Sequence, residues 1–176
     1  MKMKNISLAV LLAAGFSMSA AQAAETGTLN FNGTVTTSSC AIDAASLTVP
    51  VDFGKVAISA VNGNAVGAVS SATQKAFTIK LNGCPAGLAA RVQFNGTASG
   101  YTATKAFVGG MPRYAGIIIK NEAGVTATPN SMATTEAQTL VAGVNELNYT
   151  AGLTKTSGSV EAGAINASVT YVISYQ

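Results

Sequence analysis

The stretch "ASVTYVISYQ", residues 167–176, decides the fold of this chain. It carries no charge and alternates as a β-strand does, with one face formed by Ala167, Val169, Tyr171, Ile173 and Tyr175. If this strand lies at a sheet edge, one flank of its backbone is unpaired. Proteins usually protect such an edge with a charge, a proline or a bulge. The stretch has none of these devices, so the strand that pairs with this flank has to come from elsewhere, either from an earlier part of the same chain or from another polypeptide.

The rest of the chain repeats a pattern of short strand and turn. Phe77, Ile79 and Leu81 share one face of a strand, Val92 and Phe94 share one face of another, and both strands end in Asn-Gly turn signals. A further strand is predicted in 114–124, two short ones in 139–153, and two short ones in 38–58, broken near Asp43 and Pro50. Residues 59–73 are predicted to form a loop, with a short helical turn possible. Seven or eight short strands favour an all-β, immunoglobulin-like sandwich.

The first 23 residues have the features of a secretory signal peptide. A basic start with Lys2 and Lys4 precedes an apolar run, and small residues end the segment at Ala23. A retained membrane anchor is the competing interpretation. Removal of the segment would lower the net charge from +3 to about +1 by subtracting two lysines. Without a Lys/Arg cluster, nucleic acid is not an expected partner.

The mature chain would contain two cysteines, Cys40 and Cys84. An even number of cysteines in an exported chain predicts a disulfide, with free thiols or half of a metal site as the alternative. A bridge that closes a loop of about 44 residues would stabilise the fold by roughly 4 kcal/mol in the chain-entropy model.

The composition argues against catalysis. The sequence has no histidine, which removes the usual general base, most zinc sites and the Ser-His-Asp triad. The seven acidic residues are scattered, and no phosphate-binding glycine loop is present. We therefore expect no enzymatic activity, no cofactor and no metal.

A second strand-like segment lies at the start of the mature chain. In this arm, residues 24–35, a common face is formed by Gly27, Leu29, Phe31, Gly33 and Val35. The arm could be the first strand of its own sandwich. It could instead leave its own domain and fill a groove on a neighbour.

The chain resembles the chaperone–usher fimbrial subunits, in particular the major pilins of type 1-like fimbriae. The resemblance covers nearly the whole chain. It rests on the signal peptide, "GTLNFNGTV", "SSCAID", "VDFGKV", "FTIKLNGC" and the ending "AGAINASVTYVISYQ" with penultimate Tyr175. These motifs are weak one by one, but their order in a chain of this size is specific. The Ala/Gly-rich central region has few landmarks.

The resemblance implies an incomplete immunoglobulin-like sandwich, residues 36–176, that lacks its last strand and carries residues 24–35 as a donor-strand extension. A hydrophobic groove would lie beside the C-terminal strand. A periplasmic chaperone would fill it first, and at the outer-membrane usher the arm of the next subunit would replace the chaperone by donor-strand exchange. The resemblance also implies that Ala167, Val169, Tyr171, Ile173 and Tyr175 form the acceptor groove and chaperone contact.

These implications define a structural subunit of a surface fimbrium used for adhesion. The chain would be exported through the periplasm to the bacterial cell surface. Its expected partners are identical or related pilin subunits, the chaperone, the usher and a possible tip adhesin. Two alternatives are a minor or tip adaptor pilin and a self-contained, secreted, sugar-binding β-sandwich. The last of these would keep the arm inside its own fold.

Overall fold

Two antiparallel sheets are present in the part of the chain that the structure, a computed structural model, describes: residues 40–133 and 136–176. In chain order the strands are β1 (Ala41–Ile42), β2 (Lys75–Cys84), β3 (Ala89–Asn95), β4 (Ala115–Asn121), β5 (Gln138–Thr139), β6 (Gly143–Lys155) and β7 (Thr170–Tyr175). The first sheet has the order β1-β2-β6-β4, and the second has the order β5-β3-β7. The expected all-β sandwich is confirmed.

Within residues 40–133 and 136–176, helical structure is limited to short segments between strands. One α-helix, α1, spans Ile58–Asn62, and the 3-10 turns are Ala44–Ser46, Ser71–Thr73 and Thr102–Thr104. The helical turn foreseen within residues 59–73 is therefore present. Among the described residues, no helix has the length and apolar composition needed to cross a membrane.

The core lies between the two sheets and follows the predicted alternation. Ile79 and Leu81 of β2 have no exposed surface, and Val92 and Phe94 of β3 are also buried. An aromatic cluster joins the sheets: Phe94 meets Tyr149 of β6 edge to face, with ring centroids 5.0 Å apart, and Tyr149 stacks on Phe77 at 5.6 Å. Such aromatic pairs add to the free energy gained by burial.

The first Asn-Gly signal was interpreted wrongly as a turn. β2 continues through Asn82 and Gly83 to Cys84, and its pairing with β6 shifts at this point. Gly83 has a φ of +67°, which a bulge accommodates. The Asn82 side chain takes no part in a hairpin turn. It donates to the carboxylate of Asp43, the residue directly after β1, at 2.8 Å. The hydrogen bond from Asn82 lowers the pKa of the Asp43 carboxyl most, and a hydrogen bond from the Ala45 N–H lowers it further.

The segment 38–58 also differs from the prediction. Within the described residues, only Ala41–Ile42 form a strand, and it pairs with β2. Residues 48–53 enter no ladder with another described strand. Their side chains still alternate, since Val49, Val51 and Phe53 are partly buried while the residues between them are exposed. The pattern therefore predicted which side chains are partly buried, but no described strand pairs with this segment.

The predicted disulfide is confirmed. Cys40 bonds to Cys84 across a sequence separation of 44 residues, with their Cα atoms 4.4 Å apart. The bridge fixes the chain just before β1 to the end of β2.

Candidate functional site: an apolar cleft beside the last strand

Strand β7 is paired on one flank within the described residues. It runs antiparallel to β3 at the edge of the second sheet. Ala89 and Gln176 exchange both main-chain hydrogen bonds, at 3.0 and 2.9 Å. Because bonded and non-bonded pairs alternate in an antiparallel ladder, the main-chain groups of Tyr171 and Ile173 point away from β3. The edge expected from the sequence is present.

A cleft of about 600 Å³ lies beside this edge. One side, which we call the C-terminal wall, consists of residues 165–171. The other side, the opposite wall, consists of Ile42, Leu47, Thr48, Val49, Val51 and Phe53. The floor between them is formed by the side chains of Phe77, Ile79, Phe94, Ile117, Ile119 and Ala151. The cleft thus opens directly onto the core of the sandwich.

The chemistry of the cleft suits an apolar strand. None of the described residues that line it carries a charge, and its floor is entirely apolar. Along the C-terminal wall, Ile165, Ala167, Val169 and Tyr171 are partly buried against the core, and the residues between them are exposed. Side chains alternate between partly buried and exposed along 49–53 and along 165–171, as they do in a strand. An added strand could therefore bond to main-chain groups of the walls while its alternate side chains enter the cleft.

A hydrogen bond joins the two sides of the cleft at one end. The Tyr171 hydroxyl donates to the Ser46 carbonyl oxygen at 2.6 Å. Ser46 is buried, and its own hydroxyl accepts the Lys80 main-chain N–H at 2.8 Å. Burial and the neighbouring Tyr175 raise the pKa of Tyr171, so this hydroxyl keeps its proton around neutral pH. The bond fixes the spacing between the walls there.

The structure places the predicted site residues as follows. Ala167, Val169 and Tyr171 line the cleft. Ile173 and Tyr175 pack against the core on the same face of β7 but are not part of the cleft lining. The donor-strand residues lie outside the described part of the chain, namely Gly27, Leu29, Phe31, Gly33 and Val35. The assignment of both sets to strand exchange stays a prediction.

Sequence reasoning missed the opposite wall. Leu47, Val49, Val51 and Phe53 face the cleft, and Leu47 is 68% exposed. The alternation of Val49, Val51 and Phe53 was visible, but it was interpreted only as a strand. An apolar alternation that ends at Gly54, with no nearby hairpin partner, was the available signal.

Comparison with known proteins assigns the chain to a family. The family model described as fimbrial protein matches residues 29–176. The chain belongs to the fimbrial protein family. A type-1 fimbrial protein A chain of Escherichia coli strain K12 is 34% identical over 187 residues, and a fimbrial subunit type 1 of Klebsiella pneumoniae is 33% identical over 187 residues. Both alignments cover all of this chain and all of the relative.

Solved structures of fimbrial subunits share the fold. The P pilus rod subunit PapA superimposes with a TM-score of 0.64 and 24% identity, covering 78% of this chain and 99% of PapA. A subunit from a chaperone–usher pilus gives a TM-score of 0.63 at 24% identity, covering 86% of this chain and 96% of that one. The present chain is thus a fimbrial subunit with the incomplete sandwich fold of pilins.

Proposed function

We propose that this chain is the repeating shaft subunit of a chaperone–usher fimbria and polymerises head-to-tail by donor-strand exchange. In this scheme the arm, residues 24–35, of each incoming subunit fills the cleft of the subunit that precedes it. The single observation that carries the proposal is the cleft itself, which is uncharged and apolar and follows a sheet edge.

The dimensions of the arm support the pairing. Twelve extended residues span about 36 Å, and the wall and strand from 165 to 175 span about 33 Å. Leu29, Phe31 and Val35 alternate with polar residues, so one face of the arm is apolar. Burial of Leu29 and of Phe31 would each contribute roughly 1.5–3 kcal/mol. Gly27 and Gly33 on the same face suit places where the backbones approach closely.

The proposal accounts for a fibre rather than a closed dimer. The arm and the cleft are different surfaces of one molecule, and a head-to-tail contact that does not close repeats into an open helical rod. Before assembly, a periplasmic chaperone would lend a strand to the same edge, and the outer-membrane usher would be the place of exchange. The signal peptide, residues 1–23, would bring the chain to the periplasm, and the rod would stand on the cell surface.

The test of this function is a charge on the buried face of the arm. Phe31→Asp should reduce polymer by about tenfold or more, because a carboxylate would have to enter an apolar cleft without a partner. The measurement is the ladder of detergent-resistant polymers on a gel of unboiled fimbriae. Asn32→Asp is the matched control, since it adds the same charge on the outward face of the arm and should leave the ladder intact.

Two outcomes would contradict the assignment. Normal fibres from Phe31→Asp would mean that this residue does not enter a neighbour's cleft. A stable, long-lived monomer from a chain without residues 24–34, with its core protected from hydrogen exchange, would favour a sandwich that needs no donated strand.

A further inference from the structure

The C-terminal wall is held in place by the loop of residues 110–114, which the sequence analysis did not single out. Residues 156–166 run beside residues 110–114, in the opposite direction. The Thr156 N–H donates to the Tyr114 carbonyl at 2.8 Å, and the Glu161 N–H donates to the Arg113 carbonyl at 3.2 Å. The Arg113 guanidinium also meets the Glu161 carboxylate at 3.2 Å. The chain that leads into the wall is therefore anchored to this loop.

The last contact of this series involves Gly110. The Asn166 N–H donates to the Gly110 carbonyl at 2.8 Å, immediately before Ala167 of the cleft wall. Gly110 has a φ of +71°, and a Cβ atom built there would lie 2.7 Å from the Asn166 carbonyl carbon and closer still to its oxygen. Both atoms belong to the backbone, so no side-chain rotation could relieve the overlap. Only glycine permits the observed approach.

The side chains of the wall pack against the core, but for its backbone the hydrogen bond to Gly110 is one of few main-chain hydrogen bonds within the described residues. Residues 165–169 precede the first ladder pair of β7, Thr170 with Asn95, so β3 does not fix their backbone. Asn166, at the start of this run, is fixed by Gly110, and Tyr171, at its end, is fixed by its bond to Ser46. Any displacement at Gly110 would therefore move Ala167 and change the width of the cleft.

We propose that Gly110 is a positioning residue for the strand-accepting cleft: it sets the place of the C-terminal wall without contacting the donor strand. This inference rests on the proposed function for its consequence, which is that a side chain at residue 110 weakens donor-strand binding. The positional part, that Gly110 holds residues 161–167, is independent of that function.

The chain offers a matched pair of variants. Gly110→Ala introduces both the positive-φ strain and the collision with Asn166. Gly124→Ala introduces the same kind of strain at a φ of +79°, but a Cβ there meets nothing within 4 Å. The probe is a fluorescent peptide of residues 24–35, added to the full mature chain carrying each substitution. Hydrogen exchange of residues 161–167 and of β2 is measured on the same samples.

We expect Gly110→Ala to weaken peptide binding by about tenfold or more, and Gly124→Ala to stay within about twofold of the unsubstituted chain. In Gly110→Ala, exchange should accelerate across 161–167 while β2 keeps its protection. Unchanged binding and unchanged exchange would overturn the proposal. Loss of protection in β2 as well would overturn it too, because the glycine would then support the whole fold.

The two proposals fail in different ways. If the unsubstituted chain does not bind the peptide, the proposed donor-strand function is wrong. The exchange of residues 161–167 in Gly110→Ala still decides whether this glycine holds the wall.

Discussion

At the scale of single residues, one hydroxyl group connects the two sides of the cleft. The Tyr171 hydroxyl bonds to the Ser46 carbonyl at 2.6 Å, and both residues are fixed further by the sheets beside them. Removing the hydroxyl in Tyr171→Phe leaves the ring in the cleft but deletes the bond. We expect the free energy of unfolding of the donor-bound subunit to fall by about 0.5–1.5 kcal/mol. Urea unfolding with bound peptide 24–35 measures it.

The control for this prediction is Tyr101→Phe. Tyr101 is 58% exposed and does not line the cleft, so loss of its hydroxyl should leave the unfolding free energy unchanged. Equal stability of Tyr171→Phe and the unsubstituted chain would mean that the bond does not fix the spacing of the walls.

At the scale of elements, the chain that precedes β2 packs against the end of β6 near Gly152 and Leu153. The Ser70 N–H donates to the Leu153 carbonyl at 3.1 Å, and the Leu153 N–H donates to the Thr73 hydroxyl at 2.9 Å. Val69 lies over Gly152 so closely that a Cβ on the glycine would overlap the Val69 Cγ1 atom. The residues from 67 to 73 therefore continue the packing of β6 where its pairing with β2 ends.

This packing predicts a coupled pair of substitutions. Gly152→Ala should lower the free energy of unfolding by about 1–3 kcal/mol, because it overfills the contact with Val69. Val69→Ala removes the Cγ1 atom, so the double variant should lose less than the sum of the single losses. A double-mutant cycle from urea unfolding measures that coupling. Additive losses would show that the two residues do not press on each other.

The elements also show which parts of the fold the sequence could predict. The faces of β2, β3 and β7 were readable because one side of each strand is buried, so apolar residues alternate. Residues 48–53 alternate too, yet the pattern could not reveal that no described strand pairs with them. Which strand pairs with which depends on residues far away in the sequence, so a local pattern cannot reveal it.

The same limit applies to the candidate site. The apolar face of β7 was predictable from alternation. Its place at a sheet edge was only assumed, and the lack of charge and proline indicated that such an edge would need a partner strand. The contact of Gly110 with Asn166 was not predictable, since it joins two loops that are far apart in sequence. Gly109, Gly110 and Pro112 signal a turn, but a turn signal does not say what rests against it.

At the scale of the whole molecule, the cleft leaves the sandwich with less buried apolar surface than a complete one would have. The disulfide then matters more than in a closed fold, because it restricts the unfolded chain independently of packing. Cys40 and Cys84 join the start of the opposite wall's segment to β2. In the chain-entropy model a loop of this size contributes roughly 4 kcal/mol.

Loss of the disulfide should therefore affect the free subunit more than the assembled fibre. The double variant Cys40→Ser/Cys84→Ser, which leaves no unpaired thiol, should accumulate in the periplasm at a severalfold lower level.

Once a donated strand fills the cleft, burial along it adds stability, so reduction of preformed fibres with dithiothreitol should leave their detergent-resistant ladder largely intact. Immunoblots of periplasm and unboiled fibre samples measure the two effects. Normal periplasmic abundance of the double variant would mean that the sandwich is stable without the bridge. Rapid collapse of reduced fibres would mean that the donated strand does not take over its role.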